Sequence, residues 1–472
     1  MKHKNFYHIA LAIAVLLLVS LACGSSTTEQ LQDVVVPTAT AVKVGVEPTQ
    51  EQELEEQPID VTPTEALPTE TPLPTDPPPT PTPEPEPITV TNFGFGQDGR
   101  SVGFAFIVEN PNMGLAFEDS QYQLAAYDEN DVVVETDSGY INLLLPGQSL
   151  GVGGDLFLDE GVTVSKIEVQ LNAGNPEPTE PIPTFTVESV AYHAGDHFSH
   201  ATGVINNPYD IDLTNLRVSA IVYDETGNII GGGYTYQNFI LANGSNGTEV
   251  SVTSAGNVAR IELYPTLSSL SLFSSDEELP DGASEIQLVN YGFGQDGRRA
   301  GFGMIIENPN SGYAVENSQY QLTAFATDGT VLVTDEGYIN LLLPEQLLGL
   351  GGDLFLGEGM EIDHVEVQIK AGEYVESETI PLFTYENATY QPGSYSSKVT
   401  GLVVSPYTSD ITNLRVSAIA YDENGEIIGG GDTYLDFAPA NGKAAVEVSV
   451  TVNGTPFSVE LFATVTSLSD FE

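Results

Sequence analysis

Apolar residues occupy every second position in several segments of the chain, and polar turn residues follow them. In residues 216–223, for example, this alternation runs up to the turn sequence DETGN. No stretch of comparable length shows an apolar period of 3.6 residues. A period of two residues, bounded by turn residues, predicts short antiparallel strands and an all-β fold. The positions expected to face a core are Leu216, Val218, Ala220 and Val222, with the matching sets Tyr122, Leu124 and Ala126, Tyr320, Leu322 and Ala324, and Val416, Ala418 and Ala420.

The strand pattern occurs twice along the chain. Residues 139–158 read GYINLLLPGQSLGVGGDLFL, and residues 337–356 differ from them at only three of twenty positions. The same offset of 198 residues relates NFGFGQDGR, from residue 92, to NYGFGQDGR, from residue 290. It also relates LRVSAIVYDETGNIIGGG to LRVSAIAYDENGEIIGGG. Self-similarity at one constant offset indicates a duplicated structural unit.

A weaker duplication divides each repeat into two modules. Asn110-Pro111 and Tyr127-Asp128 correspond to Asn207-Pro208 and Tyr223-Asp224, at offsets of 97 and 96 residues. Modules of this size, built from short alternating strands, are typical of immunoglobulin-like antiparallel β-sandwiches. We therefore predict four tandem β-sandwich modules, at residues 88–182, 183–275, 286–380 and 381–472, with a linker at 276–285.

The N-terminus has the pattern of an export signal. Lys2 and Lys4 precede an apolar run that ends shortly before Cys23, and this run is too short to span a membrane. The residues before Cys23 resemble a bacterial lipobox, although Ser20 stands where leucine is usual. The resemblance implies cleavage after residue 22, lipidation of Cys23, and an exported protein anchored to the bacterial cell envelope.

Residues 23–87 have a composition that cannot form a core. Residues 24–87 are dominated by Thr, Pro and Glu, as in ALPTETPLPTDPPPTPTPEPEP, and contain no aromatic residue. Proline at this density favours polyproline II, so the stretch from Pro37 to Pro87 could reach on the order of 150 Å at about 3.1 Å per residue. We expect a disordered stalk; a recognition peptide for a proline-binding domain is the alternative.

The charge of the chain restricts its partners. Without Lys2 and Lys4 there remain 11 basic residues against 67 acidic ones, hence a net charge of −56. A surface of this charge repels nucleic acid and anionic lipid headgroups, so we expect no nucleic-acid partner. Solubility, adaptation to salt and the collection of divalent cations are the alternative reasons for such a surface. Because Cys23 is the only cysteine, no disulfide forms within the chain.

Two segments resemble a known domain family. GVINNPYDIDLTNLRVSAIVYDETGNII and GLVVSPYTSDITNLRVSAIAYDENGEII are similar to the bacterial FxLYD-type domain. The resemblance covers the second and fourth modules, and it weakens in the first and third, where LAAYDEND and LTAFATDG stand. It implies an immunoglobulin-like sandwich on a secreted or lipid-anchored protein, and it implies no catalytic residue. The Tyr-Asp pair is expected to end a core strand, with the aspartate bonded to the backbone that follows it.

One cluster of histidines is a candidate metal site. His193, His197 and His200 lie within eight residues, and imidazole is a common zinc ligand. However, the second repeat has Gln391, Tyr395 and Lys398 at these positions, and the spacing matches no structural zinc pattern. We favour an exposed polar hairpin over a metal site.

Four aspartates in glycine-rich segments are candidate calcium ligands. Asp98 and Asp155 recur as Asp296 and Asp353, and calcium prefers several oxygen ligands at once. Neither segment has the Asp-x-Asp-x-Asp-Gly spacing of a calcium loop, whereas Asp-Gly is a strong signal for a tight turn. We therefore predict turns at these four aspartates, with no metal and no cofactor.

The sequence does not favour catalysis. It contains no GxSxG, HExxH or Cys-His arrangement and no tryptophan, and thin sandwich modules leave room for a cleft only between modules. We expect a non-catalytic surface protein that binds an extracellular protein or polysaccharide. The alternatives are a purely structural spacer or surface-layer element and, less favoured, a calcium-dependent adhesin.

Overall fold

The structure is a computed structural model that describes residues 85–180, 182–195, 199–274, 279–393 and 396–470. Side chains are described throughout these ranges except at residues 272–274. The described residues form antiparallel strands in six sheets and no helix, which confirms the all-β prediction. Cys23, the signal segment and almost all of the predicted stalk lie outside the described residues.

The first sandwich, β1 to β7, consists of two sheets. One sheet has the order β1-β2-β5, and the other has the order β4-β3-β6, with β7 paired to the start of β3. The strands are β1 Thr89–Asp98, β2 Ser101–Glu109, β3 Leu115–Tyr127, β4 Val133–Leu144, β5 Ser149–Phe157, β6 Lys166–Asn172 and β7 Asn175–Pro178.

The second sandwich, β8 to β14, has the same strand pairing, but its two sheets are joined through β11 and β12. The order is β13-β10-β11-β12-β9-β8, with β14 paired to β10. The strands are β8 Thr186–His193, β9 Ser199–Asn206, β10 Asp212–Tyr223, β11 Ile229–Ile240, β12 Ser245–Ser254, β13 Arg260–Thr266 and β14 Leu272–Ser274.

The third and fourth sandwiches repeat these two arrangements. The third has sheets β15-β16-β19 and β18-β17-β20, with β21 on β17, and the fourth has the order β22-β23-β26-β25-β24-β27. The third contains β15 Gln287–Asp296, β16 Arg299–Glu307, β17 Tyr313–Phe325, β18 Val331–Leu342, β19 Leu347–Phe355, β20 His364–Lys370 and β21 Glu373–Glu376. The fourth contains β22 Thr384–Gln391, β23 Ser397–Val404, β24 Ile411–Tyr421, β25 Ile427–Ala438, β26 Lys443–Val452 and β27 Ser458–Thr464.

Each sandwich has a core of its own, built by the alternating positions. Phe104, Phe106 and Leu124 are fully buried in the first, as are Val218 and Ala220 in the second. Separate cores occupy the third and fourth sandwiches. The predicted inward set is therefore confirmed.

The opposite face of the central strands is buried as well, which the sequence interpretation did not predict. Ile221 and Tyr223 were expected to face away from the core. They pack instead with Ala105, Ile107 and Ile229, across the contact between the first and second sandwiches. The uninterrupted apolar run at 221–223 is the signal for a strand buried on both faces.

Glycines allow the backbones of the paired sandwiches to touch. Strands β1, β2 and β5 lie against β10, β11 and β12 of the next sandwich. A Cβ atom at Gly94 would overlap the carbonyl oxygen of Ile229, and one at Gly103 would overlap the carbonyl of Thr253. Only glycine permits such a close approach. The same contacts recur in the second pair, where Gly292, Gly301 and Gly351 face Ile427, Gly430 and Gly431.

The two pairs also contact each other, through the second and third sandwiches. Strands β9 and β12 pack on β17 and β18. The Thr202 hydroxyl donates to the carbonyl of Val331 at 2.7 Å, and the Gln321 amide donates to the carbonyl of Gly247 at 2.6 Å. The sequence interpretation placed only a polar linker between the repeats, so this interface is a further finding.

The Tyr-Asp pairs end their strands as predicted. In the first sandwich, Asp128 Oδ1 accepts hydrogen bonds from the backbone N–H groups of Asn130 and Val132, at 2.8 and 2.9 Å. Asp224 and Asp422 do the same in the second and fourth sandwiches. Hydrogen bonds from Asn228 and Thr226 lower the pKa of Asp224 to about 2.

Candidate functional site: twin grooves between paired sandwiches

An open groove lies between the two sandwiches of each pair. In the first pair it has a volume of about 590 Å³ and is bounded by the β4–β5 loop, the segment leading into β8, and strand β13. A groove of about 220 Å³ occupies the equivalent place in the second pair. Residues 148–150, 184–185 and 263–265 of the first groove correspond, at the offset of 198, to residues 346–348, 382–383 and 461–463 of the second.

The repeated LLLP segment lines one wall of the first groove, and the residues that follow it, Gln346 to Leu348, line the second. In the first pair the chain turns at Gly147, which has a φ of 65°. The backbone N–H of Leu145 donates to Gln148 Oε1 at 2.8 Å, and this bond closes the turn. Beneath it the buried amide of Asn110 donates to the carbonyls of Leu115 and Leu145, at 2.8 and 2.9 Å. The Asn-Pro motif thus positions the loop that borders the groove.

Aromatic rings form the opposite wall. Phe185 and Tyr209 meet edge to face with centroids 5.6 Å apart, and the Tyr209 hydroxyl donates to the carbonyl of Pro183 at 2.6 Å. The equivalent Phe383 and Tyr407 pack in the same way. Apolar side chains on the rim remain exposed, at 40% for Ile182 in the first groove and 49% for Leu347 in the second.

The first groove carries one carboxylate. Glu262 accepts a hydrogen bond from the Tyr264 hydroxyl at 2.7 Å, and burial raises the pKa of Tyr264. In the second groove Phe462 replaces Tyr264, so this polar contact is absent there among the described residues. The aliphatic and aromatic side chains of the walls are suited to binding apolar side chains, while Glu262 is already ion-paired with Arg260.

A half-buried arginine joins the sandwiches of each pair, and the sequence interpretation missed it. Arg217 donates through Nη2 to the carbonyl of Gly153 at 2.7 Å, and Arg415 donates to Gly351 at 2.9 Å. Both contacts cross from one sandwich to the other. Arginine is scarce in this chain, so its repetition in the LRVSA strand was the available signal.

The arginine has different neighbours in the two pairs. Arg415 Nε donates to Asp432 at 3.0 Å, whereas Arg217 stacks on the ring of Tyr234 at 4.3 Å. Close to Arg415, the Tyr320 hydroxyl donates to Asp335 at 3.1 Å. Burial raises the pKa of Asp335 to about 6. Asp335 belongs to the third sandwich and Arg415 to the fourth, so this carboxyl lies where the two sandwiches meet.

The histidines lie at the junction between the two repeats. His193 and His200 face each other across the predicted hairpin of β8 and β9, while His197 lies outside the described residues. His193 Nε2 is 3.0 Å from the carbonyl oxygen of Val331, and His200 Nδ1 is 2.9 Å from Glu249. The hairpin is confirmed, and Ala194 and Gly195 near its tip are exposed, whereas both histidine rings are half-buried beside the third sandwich.

Two of the four predicted aspartate turns are wrong. Asp98 and Asp296 do begin hairpin turns, with Gly99 and Gly297 at positive φ. Asp155 and Asp353 instead lie inside β5 and β19, where Gly153 and Gly351 pack against the neighbouring sandwich and form no turn. In the described ranges no group of three or more His, Cys, Asp or Glu side chains converges on one point.

The lipidation candidate Cys23 lies outside the described residues. Within them, no helix is long and apolar enough to cross a membrane.

Comparison with known proteins gives little further guidance. No protein-family model and no curated protein sequence matches the chain. Among solved structures, it is similar to the native conformation of E. coli alpha-2-macroglobulin, determined by cryo-electron microscopy, at 10% identity and a TM-score of 0.13. The alignment covers 80% of this chain and 28% of that one, so this chain spans little more than a quarter of its length. A likeness at this level carries no functional argument.

Proposed function

We propose that this protein is a non-catalytic, lipid-anchored protein of the bacterial cell surface whose paired sandwiches bind an extracellular protein. The signal segment, the lipobox resemblance at Cys23 and the Pro/Thr-rich stalk support export and anchoring. The resemblance of two modules to FxLYD-type domains supports the same location. Cys23→Ala should release the protein from membranes or leave an uncleaved precursor; unchanged membrane partition of a correctly cleaved product would contradict the anchor.

The observation that carries the binding proposal is the recurrence of one groove at equivalent residues of both repeats. Its walls combine apolar side chains with polar groups, and the rims expose Ile182 in the first groove and Leu347 in the second. The chain is strongly acidic, and Glu262, the carboxylate of the first groove, is paired with Arg260. These features favour a protein segment with apolar side chains next to basic ones.

Binding to cell envelopes tests this function. The full chain with Cys23→Ala would be mixed with envelopes from cells that lack the protein, and the bound fraction measured by sedimentation. We expect saturable binding that Ile182→Asp and Leu347→Asp together abolish. Phe457→Asp is the matched control, since Phe457 is 77% exposed and lies outside both grooves. Equal binding by the groove variant and the control would refute the proposal.

A structural spacer is the second candidate, and one observation favours it. The repeated GFGQDGR and GGD segments contribute glycines that pack between sandwiches, so their agreement in the two repeats serves the assembly of the pair. The envelope experiment distinguishes the two candidates, because a spacer needs no partner in the grooves.

A further inference from the structure

The first and fourth sandwiches each have a face whose equivalent forms the contact between the second and third sandwiches. The third sandwich docks on the second through the outer face of β17 and β18. We call the equivalent face of the first sandwich, around Gln123, Ala125, Val133 and Thr136, the leading face. The trailing face is the surface of the fourth sandwich around Gln391, Thr400, Ala445 and Glu447, which is equivalent to the docking face of the second.

Both end faces are open where their equivalents are buried. Val331 is fully buried at the junction of the repeats, whereas its counterpart Val133 on the leading face is 49% exposed. Gln321 is 3% exposed, while Gln123 is exposed. On the trailing face Ala445 is exposed, although its counterpart Gly247 is buried.

Several hydrogen-bonding groups of the junction recur on the end faces. Thr202 donates to the carbonyl of Val331, and Thr400 retains this hydroxyl. His193 reaches the same carbonyl while 2.9 Å from the Thr202 hydroxyl. Its counterpart Gln391 contacts the equivalent hydroxyl, because the Gln391 amide donates to Thr400 at 3.0 Å.

Three further contacts of the junction have matching donors and acceptors. The amide of Gln321 donates to the carbonyl of Gly247, and Gln123 can donate to Ala445 in the same way. The amide of Gln368 donates to the carbonyl of Ser245; Gln170 and Lys443 retain these two groups. The N–H of Thr334 donates to Glu249, and Thr136 and Glu447 occupy the equivalent places.

The end faces differ from the junction in two ways: Asn172 and Ser138 replace Lys370 and Glu336, so their contacts with Asp212 and Gln237 are not repeated, while one steric difference compensates. A Cβ atom at Gly247 would collide with the side chain of Thr323. The trailing face has the larger Ala445 at this place, and the leading face has the smaller Ala125 opposite it. On the trailing face Lys398 and Lys443 pair with Glu447 and Glu386 of the same sandwich, and the leading face carries Glu135.

The chain enters the first sandwich as the linker enters the third. The backbone of Glu86 exchanges hydrogen bonds with the Asn112 amide, both at 2.8 Å. The backbone of Ser284 does the same with Asn310, at 2.7 and 2.8 Å. The segment that leads into β1 therefore enters its sandwich at the same place as the linker enters the third. The described residues of the linker do not block the face of the third sandwich that docks on the second.

We propose that the trailing face of one copy binds the leading face of the next, so that the protein assembles head to tail through repeats of its own internal junction. Such an interface uses two different surfaces and does not close on itself, so it generates an open chain of copies. This assembly goes beyond the proposed function, because it does not involve the grooves.

Sedimentation velocity of the full chain with Cys23→Ala tests the assembly. We expect the sedimentation coefficient to increase with protein concentration, and more strongly at higher salt, because salt screens the repulsion between acidic chains. Val133→Arg on the leading face and Ala445→Arg on the trailing face should each give monomers. Met113→Arg, at a side chain 73% exposed in the first sandwich and outside the leading face, should associate as the unsubstituted chain does.

Mixing the two variants gives the sharpest outcome. The Val133→Arg chain keeps its trailing face and the Ala445→Arg chain keeps its leading face, so an equimolar mixture should form dimers and nothing larger. A mixture that remains monomeric, variants that associate alone, or a Cys23→Ala chain that is monomeric at every concentration and salt would overturn the proposal. The last result would leave these faces to another protein or to solvent.

Discussion

At the scale of single residues, glycine determines how closely the sandwiches approach each other. A Cβ atom at Gly103 would overlap the carbonyl oxygens of Thr253 and Gly232, which belong to the neighbouring sandwich. Both obstacles are backbone atoms held in sheets, so neither can move aside as a flexible side chain would. The repeated glycines are therefore packing residues.

Gly103→Ala should destabilise the protein. Overpacking of this kind costs about 1–3 kcal/mol, and the rigid neighbours favour the upper part of that range. Urea denaturation measures the change in unfolding free energy. Gly114→Ala is the matched control, because a Cβ atom there meets open space. An equal effect of the two substitutions would show that the sandwiches are not in backbone contact.

Asp335 makes stability depend on pH. Burial raises its folded-state pKa from 3.8 to about 6, so the folded protein binds more protons than the unfolded chain between these values. The stabilisation is complete below about pH 4 and is lost as pH rises through 6. Partial contact with solvent reduces the effect to about 1–2 kcal/mol, below the full conversion of the shift.

Asp335→Asn should remove this component of the pH dependence. The asparagine oxygen can still accept the hydrogen bond from Tyr320. Thermal melts at a series of pH values should show that the substituted protein loses less stability than the native one between pH 4 and 7. Glu361→Gln is the control at an exposed carboxylate. The same pH dependence in Asp335→Asn and the native protein would contradict this role.

At the scale of elements, buried amides hold the loops that border the grooves. Asn308 donates to the carbonyls of Tyr313, Leu342 and Leu343, at 2.8, 3.2 and 3.0 Å. Asn308→Ala should cost about 1–3 kcal/mol, because it leaves buried carbonyls without a donor. Urea denaturation checks this, with Asn453→Ala as the control at an exposed residue. Equal unfolding free energies would show that water replaces the amide.

The strands and turns were predictable from the sequence because their signals are local. The alternation at 216–223 marks a strand, and Asp128 and Asp224 bond to the backbone within four residues. The contacts between sandwiches were not predictable in this way. A glycine such as Gly153 adds nothing to an apolar pattern, so the segment that packs most closely appeared to be a turn. The grooves combine residues from two sandwiches, and only the repetition of LLLP hinted at them.

At the scale of the whole molecule, packing continues along the described sandwiches. Backbone contacts join the first to the second and the third to the fourth. Polar contacts join the second to the third, including an ion pair between Lys370 and Asp212 at 3.1 Å. The pair is therefore the natural unit of stability, because part of its apolar core, around Ile221 and Ala105, exists only when both sandwiches are present.

Each repeat should nevertheless fold without the other. Fragments 88–275 and 286–472 each retain two sandwich cores and the core between them. Circular dichroism of either fragment should show β-structure and a cooperative melt. A fragment that folds only within the full chain would mean that the junction between repeats is essential.

Calorimetry of fragments tests the central claim, that the sandwiches are stabilised as pairs through their glycine faces. The comparison is between fragment 88–275 and its halves, 88–182 and 183–275. Separation exposes the cluster of Ala105, Ile107, Ile221, Tyr223 and Ile229. We expect one cooperative transition for the pair, and halves that melt at much lower temperature or remain unfolded. Halves that each melt as high as the pair would contradict the claim.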